Sequence, residues 1–61
     1  MNPGDSVTAR NLTRAHHVER VEDYTVHTTC LCEIPLREAK HNEGRLKPCE
    51  NCAARLEARE S

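Results

Sequence analysis

Aromatic residues are almost absent from this sequence of 61 residues, which contains one Tyr and neither Phe nor Trp. Leu, Ile and Val are also few and number 10 in total. This share, roughly 16%, is below the ~20% that an apolar core usually needs. Because a chain of this length also buries little of its surface, the composition predicts a single domain that needs disulfides, a metal ion or a partner to be stable.

Long apolar runs and a strong charge imbalance are also lacking. No segment reaches the ~18 apolar residues of a membrane-spanning helix, and the first residues have neither the cationic nor the apolar region of a secretory signal. We therefore expect a cytoplasmic protein. The formal net charge of −1 argues against a strong general affinity for DNA or acidic membranes. We also expect no enzyme, because so short a chain has too few residues to wall a substrate pocket.

Cysteine is the exception, since the chain contains four. They form two pairs, Cys30-x-Cys32 and Cys49-x-x-Cys52, with sixteen residues between them. Paired cysteines on either side of such a loop are typical of zinc sites, in which Zn²⁺ takes four tetrahedral ligands. We predict one structural zinc ion per chain, held by all four cysteines and with no open position for a substrate.

The identity of the fourth ligand stays open, because Cys-x-Cys is a tighter and less usual chelating pair than Cys-x-x-Cys. His27 lies three residues before Cys30 and could replace one cysteine of the first pair. His41 is a minor option, since its neighbours indicate an exposed turn. Adjacent side chains point apart on a strand or a helix, so we do not expect one metal site to use both His16 and His17, and we treat both as exposed.

Other cysteine chemistries fit the sequence less well. Two disulfides between the pairs would need an oxidising compartment. A redox Cys-x-x-Cys motif needs a longer βαβ framework. A catalytic pair such as Cys30 and His27 needs a pocket and a third, orienting group.

The composition changes after the first 17 residues. Residues 1–17 are polar and predict an arm that is either flexible or contains a short helix over residues 6–15. Residues 18–61 predict the zinc-binding domain, in which the alternation of residues 24–28 indicates a strand.

Two further segments have their own expected structures, one between the cysteine pairs and one that begins at the second pair. Residues 33–48 fit either a short helix after Pro35 or a hairpin. Residues 49–60 are rich in helix formers and follow Pro48, so they predict a helix. The predicted fold is a small α+β domain of treble-clef or zinc-ribbon type, with a short β-hairpin and a C-terminal helix.

Residues 17–32 read His-Val, then Val-Glu-Asp, a His at position 27 and Cys-x-Cys. This stretch resembles the opening of small uncharacterised proteins that are common in bacteriophages. The second half, in which Cys49-x-x-Cys52 begins a helix, resembles the last part of a treble-clef zinc finger. The first resemblance implies a viral accessory protein in the host cytoplasm, and the second implies a zinc-stapled binding module.

The expected partner is therefore another macromolecule, most plainly a protein, and we expect no membrane or small-molecule substrate. A protein adaptor should show an apolar patch formed by some of the residues Val18, Val21, Leu31, Ile34 and Leu36. The alternative is a nucleic-acid-binding regulator that uses arginines of the N-terminal region and of the helix. These are Arg10, Arg14, Arg20, Arg55 and Arg59.

Overall fold

A computed structural model describes residues 1–60 and shows a small α+β domain, in which an antiparallel sheet is followed by a C-terminal helix. The five strands lie in the order β4-β3-β2-β1-β5. The elements are β1 (Ser6–Thr8), β2 (His16–Glu22), β3 (Thr25–Thr28), β4 (Glu33–Pro35), β5 (Lys40–His41) and α1 (Glu50–Glu60). The α+β class and the C-terminal helix are confirmed, whereas the treble-clef or zinc-ribbon type stays a prediction.

The hairpin of β2 and β3 turns at Asp23 and Tyr24, which have positive φ angles of 51° and 58°. Two residues with positive φ are what a tight hairpin turn needs to match the twist of its strands. The predicted strand at residues 24–28 is therefore present as β3, and its first residue belongs to the turn.

A β-bulge interrupts the pairing of β2 with β3. Val21 lies opposite Val26, but Val18 lies opposite Thr28, so the register shifts by one residue between Val18 and Arg20. Such a bulge adds one residue to one strand and reverses the alternation of its side chains. This explains how Val18 and Val21, three residues apart, both pack on the same core.

The apolar core is small, as the composition predicted. Its buried members come from four strands and are Val7, Val18, Val26 and Ile34. Partly buried residues pack around them, namely Met1, Ala9, Leu12, Val21, Leu36 and Ala39. With no aromatic side chain inside, this cluster supplies limited stability on its own.

The N-terminal segment forms a strand instead of the flexible or helical arm predicted for residues 1–17. β1 lies inside the sheet, antiparallel to both β2 and β5. Val7 is 0% exposed, and backbone hydrogen bonds join Gly4 and Asp5 to Val18. The reason for the difference is that β1 buries a core valine, and this tertiary contact outweighs the weak local preference for a helix.

The segment between the cysteine pairs adopts neither of the two alternatives weighed for residues 33–48. β4 pairs with β3, whereas β5 pairs with β1, so they do not form a hairpin with each other. A single turn over residues 35–39 replaces the short helix. Within residues 1–60 no helix is both long enough and apolar enough to cross a membrane.

Candidate metal centre

Three cysteines and one histidine converge at the corner where the sheet meets α1. The side-chain ligand atoms of His16, Cys30, Cys49 and Cys52 all lie within 4.8 Å of one another. His16 begins β2, and Cys30 follows β3. Cys49 directly precedes α1, and Cys52 lies in its first turn. Three chain segments that are distant in sequence therefore contribute to one group of ligands.

The distances within this group suit a tetrahedral ion. His16 Nδ1 lies 3.3 Å from Cys30 Sγ and 3.8 Å from Cys52 Sγ. An ion with usual Zn–N and Zn–S bond lengths would separate a nitrogen and a sulfur ligand by about 3.6 Å. The group could thus hold a metal ion, typically zinc, with small adjustments of its side chains.

The donor chemistry and the burial of the group agree with its geometry. All four cysteines of the chain are free thiols, and thiolates with an imidazole are the ligands that zinc prefers. Cys52, Cys49 and His16 are only 3%, 8% and 8% exposed. The site is thus shielded from water on most sides, while Cys30 forms its half-exposed edge.

A tight turn at the end of β3 presents Cys30. The amide of Thr28 donates to the carbonyl of Cys32, and the amide of Leu31 donates to the carbonyl of Thr28. The amide of Cys32 donates to the Thr28 hydroxyl oxygen at 2.9 Å. We call residues 28–32 the knuckle. Within the knuckle, Leu31 has a φ of 68° and a side chain that is 76% exposed.

Backbone hydrogen bonds bring His16 and Cys49 together. The amide of Ala15 donates to the carbonyl of Lys47 at 2.9 Å, and the amide of Cys49 donates to the carbonyl of Ala15 at 2.7 Å. Ala15 and Pro48 form a parallel bridge. We call this contact the Ala15 clamp. It holds at the site both His16, which follows Ala15, and Cys49, which follows Pro48.

The start of α1 places Cys52 where it receives backbone hydrogen bonds. The amides of His17 and Cys30 both point at its sulfur, and such N–H donors stabilise a thiolate. Burial nevertheless dominates and raises the pKa of Cys52 to about 11. In the absence of a metal ion this thiol therefore keeps its proton at neutral pH.

Cys30 has the opposite tendency. Burial would raise its pKa, but hydrogen bonds from Thr28, Cys52 and His16 outweigh burial and lower the pKa to about 6. The hydrogen bond with Cys30 raises the pKa of its neighbour Cys32. Cys30 therefore favours the thiolate at neutral pH, which is a good starting point for binding a cation.

A polar network holds the far end of α1 on β2. Arg59 donates two hydrogen bonds to the Glu19 carboxylate, at 2.8 and 2.9 Å. The Thr29 hydroxyl donates to the same carboxylate at 2.9 Å, and His17 Nδ1 lies 2.7 Å from that hydroxyl oxygen. Since Thr29 has one proton and gives it to Glu19, His17 Nδ1 must be the donor in its own contact.

The structure brings together three of the four cysteines predicted as ligands, and adds His16. Cys32 is exposed and outside the group, although its Sγ is 3.6 Å from Cys30 Sγ. The two histidines considered from the sequence also lie elsewhere. His27 Nδ1 is 3.7 Å from a Glu33 carboxylate oxygen, and His41 Nδ1 is 4.0 Å from one of Asp5.

The expectation that His16 is exposed was wrong. In a regular hairpin Cys30 would lie across from His17, but the bulge shifts the pairing so that His17 faces Thr29, whose amide donates to the His17 carbonyl. This shift sets His16 opposite Cys30 and on the buried face. The valine spacing of three residues in β2 was the one sequence signal for the bulge.

Searches for related proteins found no match for the chain among protein-family models, curated proteins or solved structures.

Proposed function

We propose that the chain is a small structural-zinc module with His16, Cys30, Cys49 and Cys52 as the four ligands. The observation that carries this proposal is the convergence of their ligand atoms within 4.8 Å. Four protein ligands complete a tetrahedral shell, so the ion would have no position for a substrate or for a reactive water. The role of the ion is to supply the stability that so small an apolar core cannot. With no open position on the ion, the proposed role is structural and the protein is not an enzyme.

Metal content tests the ligand set directly. The protein, purified under reducing conditions, should show one zinc ion per chain in a native mass spectrum, and a chelator should remove it. His16→Ala should lose the ion, whereas the matched variant His27→Ala should keep it. Retention of zinc by His16→Ala, with loss in Cys32→Ser, would assign the site to the four cysteines instead.

We further propose that the module binds another protein through the knuckle. Leu31 supports this assignment, because it combines a left-handed backbone with a 76% exposed apolar side chain. Such strain is concentrated at functional sites in proteins. Of the patch expected from the sequence, Val18 and Ile34 instead lie in the core, and Val21 and Leu36 pack against it. The binding surface is thus narrower than predicted.

Because Cys30 anchors the knuckle in the metal centre, partner binding should depend on zinc. A partner cross-linked to the wild-type protein should be lost after Leu31→Asp and after metal removal. Tyr24→Asp is the matched control, since Tyr24 is 85% exposed but lies at the opposite end of β3. Loss of the partner with Tyr24→Asp alone would place the interface at the hairpin turn.

The resemblance of residues 17–32 to phage proteins stays a prediction. In that context, the partner would be a host enzyme or a virion component.

A basic groove supports nucleic-acid binding as a second candidate function. It has a volume of about 500 Å³, and its charged lining residues are Arg10, Arg37, Lys40 and Glu38. None of the three basic side chains forms an ion pair within residues 1–60. By contrast, two of the arginines considered from the sequence are paired, Arg20 with Glu22 and Arg59 with Glu19.

Salt dependence separates the two candidates. Binding of a nucleic acid through this groove should weaken steeply as salt concentration rises, because phosphate contacts release counterions. Arg37→Ala should reduce that dependence. A complex that tolerates salt and is insensitive to Arg37→Ala would favour the protein partner.

A further inference from the structure

Cys32 is a fifth potential ligand beside a set of four that is already complete. Its sulfur lies 3.6 Å from that of Cys30, yet it is outside the group whose atoms all lie within 4.8 Å. It is also the one exposed cysteine of the chain. An accessible thiol therefore lies in contact with the half-exposed edge of the metal centre.

The knuckle holds these two sulfurs together. Two hydrogen bonds link Thr28 with Cys32: the Thr28 amide donates to the Cys32 carbonyl, and the Cys32 amide donates to the Thr28 hydroxyl oxygen. A disulfide needs a sulfur–sulfur distance of about 2.0 Å, so the two atoms must approach by roughly 1.6 Å. We expect rotation of the two side chains to supply a movement of this size.

We propose that Cys30 and Cys32 form an oxidation-sensitive thiol pair, which a hydroperoxide converts into a disulfide with release of the metal ion. This inference rests on the proposed zinc site. It adds a modification site and a chemical class of reactant, a hydroperoxide, to that structural role.

The reaction balances in two steps. The Cys32 sulfur attacks one oxygen of hydrogen peroxide, the O–O bond breaks, and the departing oxygen takes the thiol proton and leaves as water. This step gives a sulfenic acid on Cys32. The Cys30 sulfur then attacks that sulfur, the S–O bond breaks, and the oxygen takes a proton from solvent and leaves as a second water. The sulfur pair loses two electrons in total, and the peroxide gains them.

Exposure determines which thiols react. Cys49 and Cys52 are 8% and 3% exposed, so a peroxide reaches them less readily than it reaches Cys32. Once Cys30 is in the disulfide, three ligands remain and the tetrahedral shell is incomplete. Metal-dependent binding through Leu31, which lies between the two cysteines, would then be switched off until a reductant restores the thiols.

The test uses the reduced full chain loaded with zinc. Limiting hydrogen peroxide should release one zinc ion for each disulfide formed, as measured with a chromogenic chelator and intact mass. Peptide mapping should place that disulfide between Cys30 and Cys32, and a thiol reductant should restore zinc binding. If the reduced protein holds no zinc, the proposed function fails. If it holds zinc but peroxide forms a different disulfide or none, only this inference is overturned.

Cys32→Ser is the decisive variant, since it leaves the four proposed ligands in place. It should bind one zinc ion and release it several-fold more slowly under peroxide than the wild type. Release at the wild-type rate, or failure of the variant to bind zinc, would overturn the proposal. Because the mapping is performed on the wild-type chain, the inference can be rejected even if the variant does not fold.

Discussion

The sheet and the helix of this protein are held in place by different forces. β2, β3 and β4 are joined to one another by backbone pairing and bury Val18, Val26 and Ile34. α1 contributes a single buried side chain, that of Cys52, and a surface ion pair at its far end. The sheet therefore contains what apolar core there is, whereas the attachment of the helix depends on the side chains of the metal centre.

Metal removal should produce the largest effect and should fall unequally on the two regions. Structural zinc in finger peptides contributes on the order of 10 kcal/mol. With the ion removed, or in Cys52→Ser, hydrogen exchange should accelerate at the amides of α1 more than at those of β3. Cys32→Ser is the matched cysteine control and should leave both regions protected. Equal loss of protection in β3 and α1 would show that the molecule is one cooperative unit.

Truncation in the core should give the next largest effect. It should weaken the sheet and leave zinc binding intact. Val26→Ala removes two methyl groups from a fully buried site, which should lower the free energy of unfolding by about 2 kcal/mol. The folded variant should still bind one zinc ion. Denaturant unfolding of the zinc-loaded protein measures the loss, and Val21→Ala, at a half-buried site, should cost less. An unchanged midpoint for Val26→Ala would be inconsistent with this core.

The hairpin turn offers a smaller effect of opposite sign. Tyr24 has a φ of 58° and is 85% exposed, so Tyr24→Gly should relieve backbone strain while losing little packing. A gain in unfolding free energy of up to about 1 kcal/mol is expected. Tyr24→Ala is the control, because it keeps the Cβ atom that causes the strain. Thermal unfolding should rank glycine above both tyrosine and alanine, and a destabilised glycine variant would contradict the assigned turn.

The smallest effect is expected at the ion pair that holds the end of α1. Hydrogen bonds from Arg59 and Thr29 lower the pKa of Glu19 below its ordinary value near 4.5. Its contribution to stability is thus present above pH ~4.5 and is lost as the pH falls through the lowered pKa. At neutral pH, Glu19→Gln should accelerate hydrogen exchange in the last turn of α1 slightly. The difference from the wild type should vanish in acid.

Glu22→Gln provides the control for that measurement. Glu22 also binds an arginine at 2.9 Å, but that arginine, Arg20, lies on β2 and not on the helix. This variant should leave the exchange of α1 unchanged at every pH. A response equal to that of Glu19→Gln would mean that general charge, and not the contact with Arg59, controls the end of the helix.

The sequence predicts the elements that depend on local patterns. The helix expected over residues 49–60 is present as α1, because Pro48 and a run of helix formers define it without tertiary contacts. The alternating strand before the first cysteine pair is present as β3 for a similar reason. The short strand β1 could not be predicted, since its three residues carry little periodicity and their position is set by the burial of Val7.

The candidate site was predictable only in part, because one of its ligands depends on tertiary structure and not on a local pattern. The sequence spacing identified the cysteine pairs, three members of which meet in the structure. His16 depends on the strand register, and a one-residue shift moves a side chain to the opposite face. No local property of residues 16 and 17 distinguishes the buried histidine from its neighbour.

The Ala15 clamp has a consequence for the order of folding events. It joins a residue near the first quarter of the chain to one near the last quarter, and contacts so distant in sequence form slowly. Once the clamp has closed, His16 and Cys49 need no further search to meet, and only the knuckle and the first turn of α1 remain to be added. We therefore expect zinc capture to be fast in chains that have closed the clamp and limited by clamp closure in those that have not.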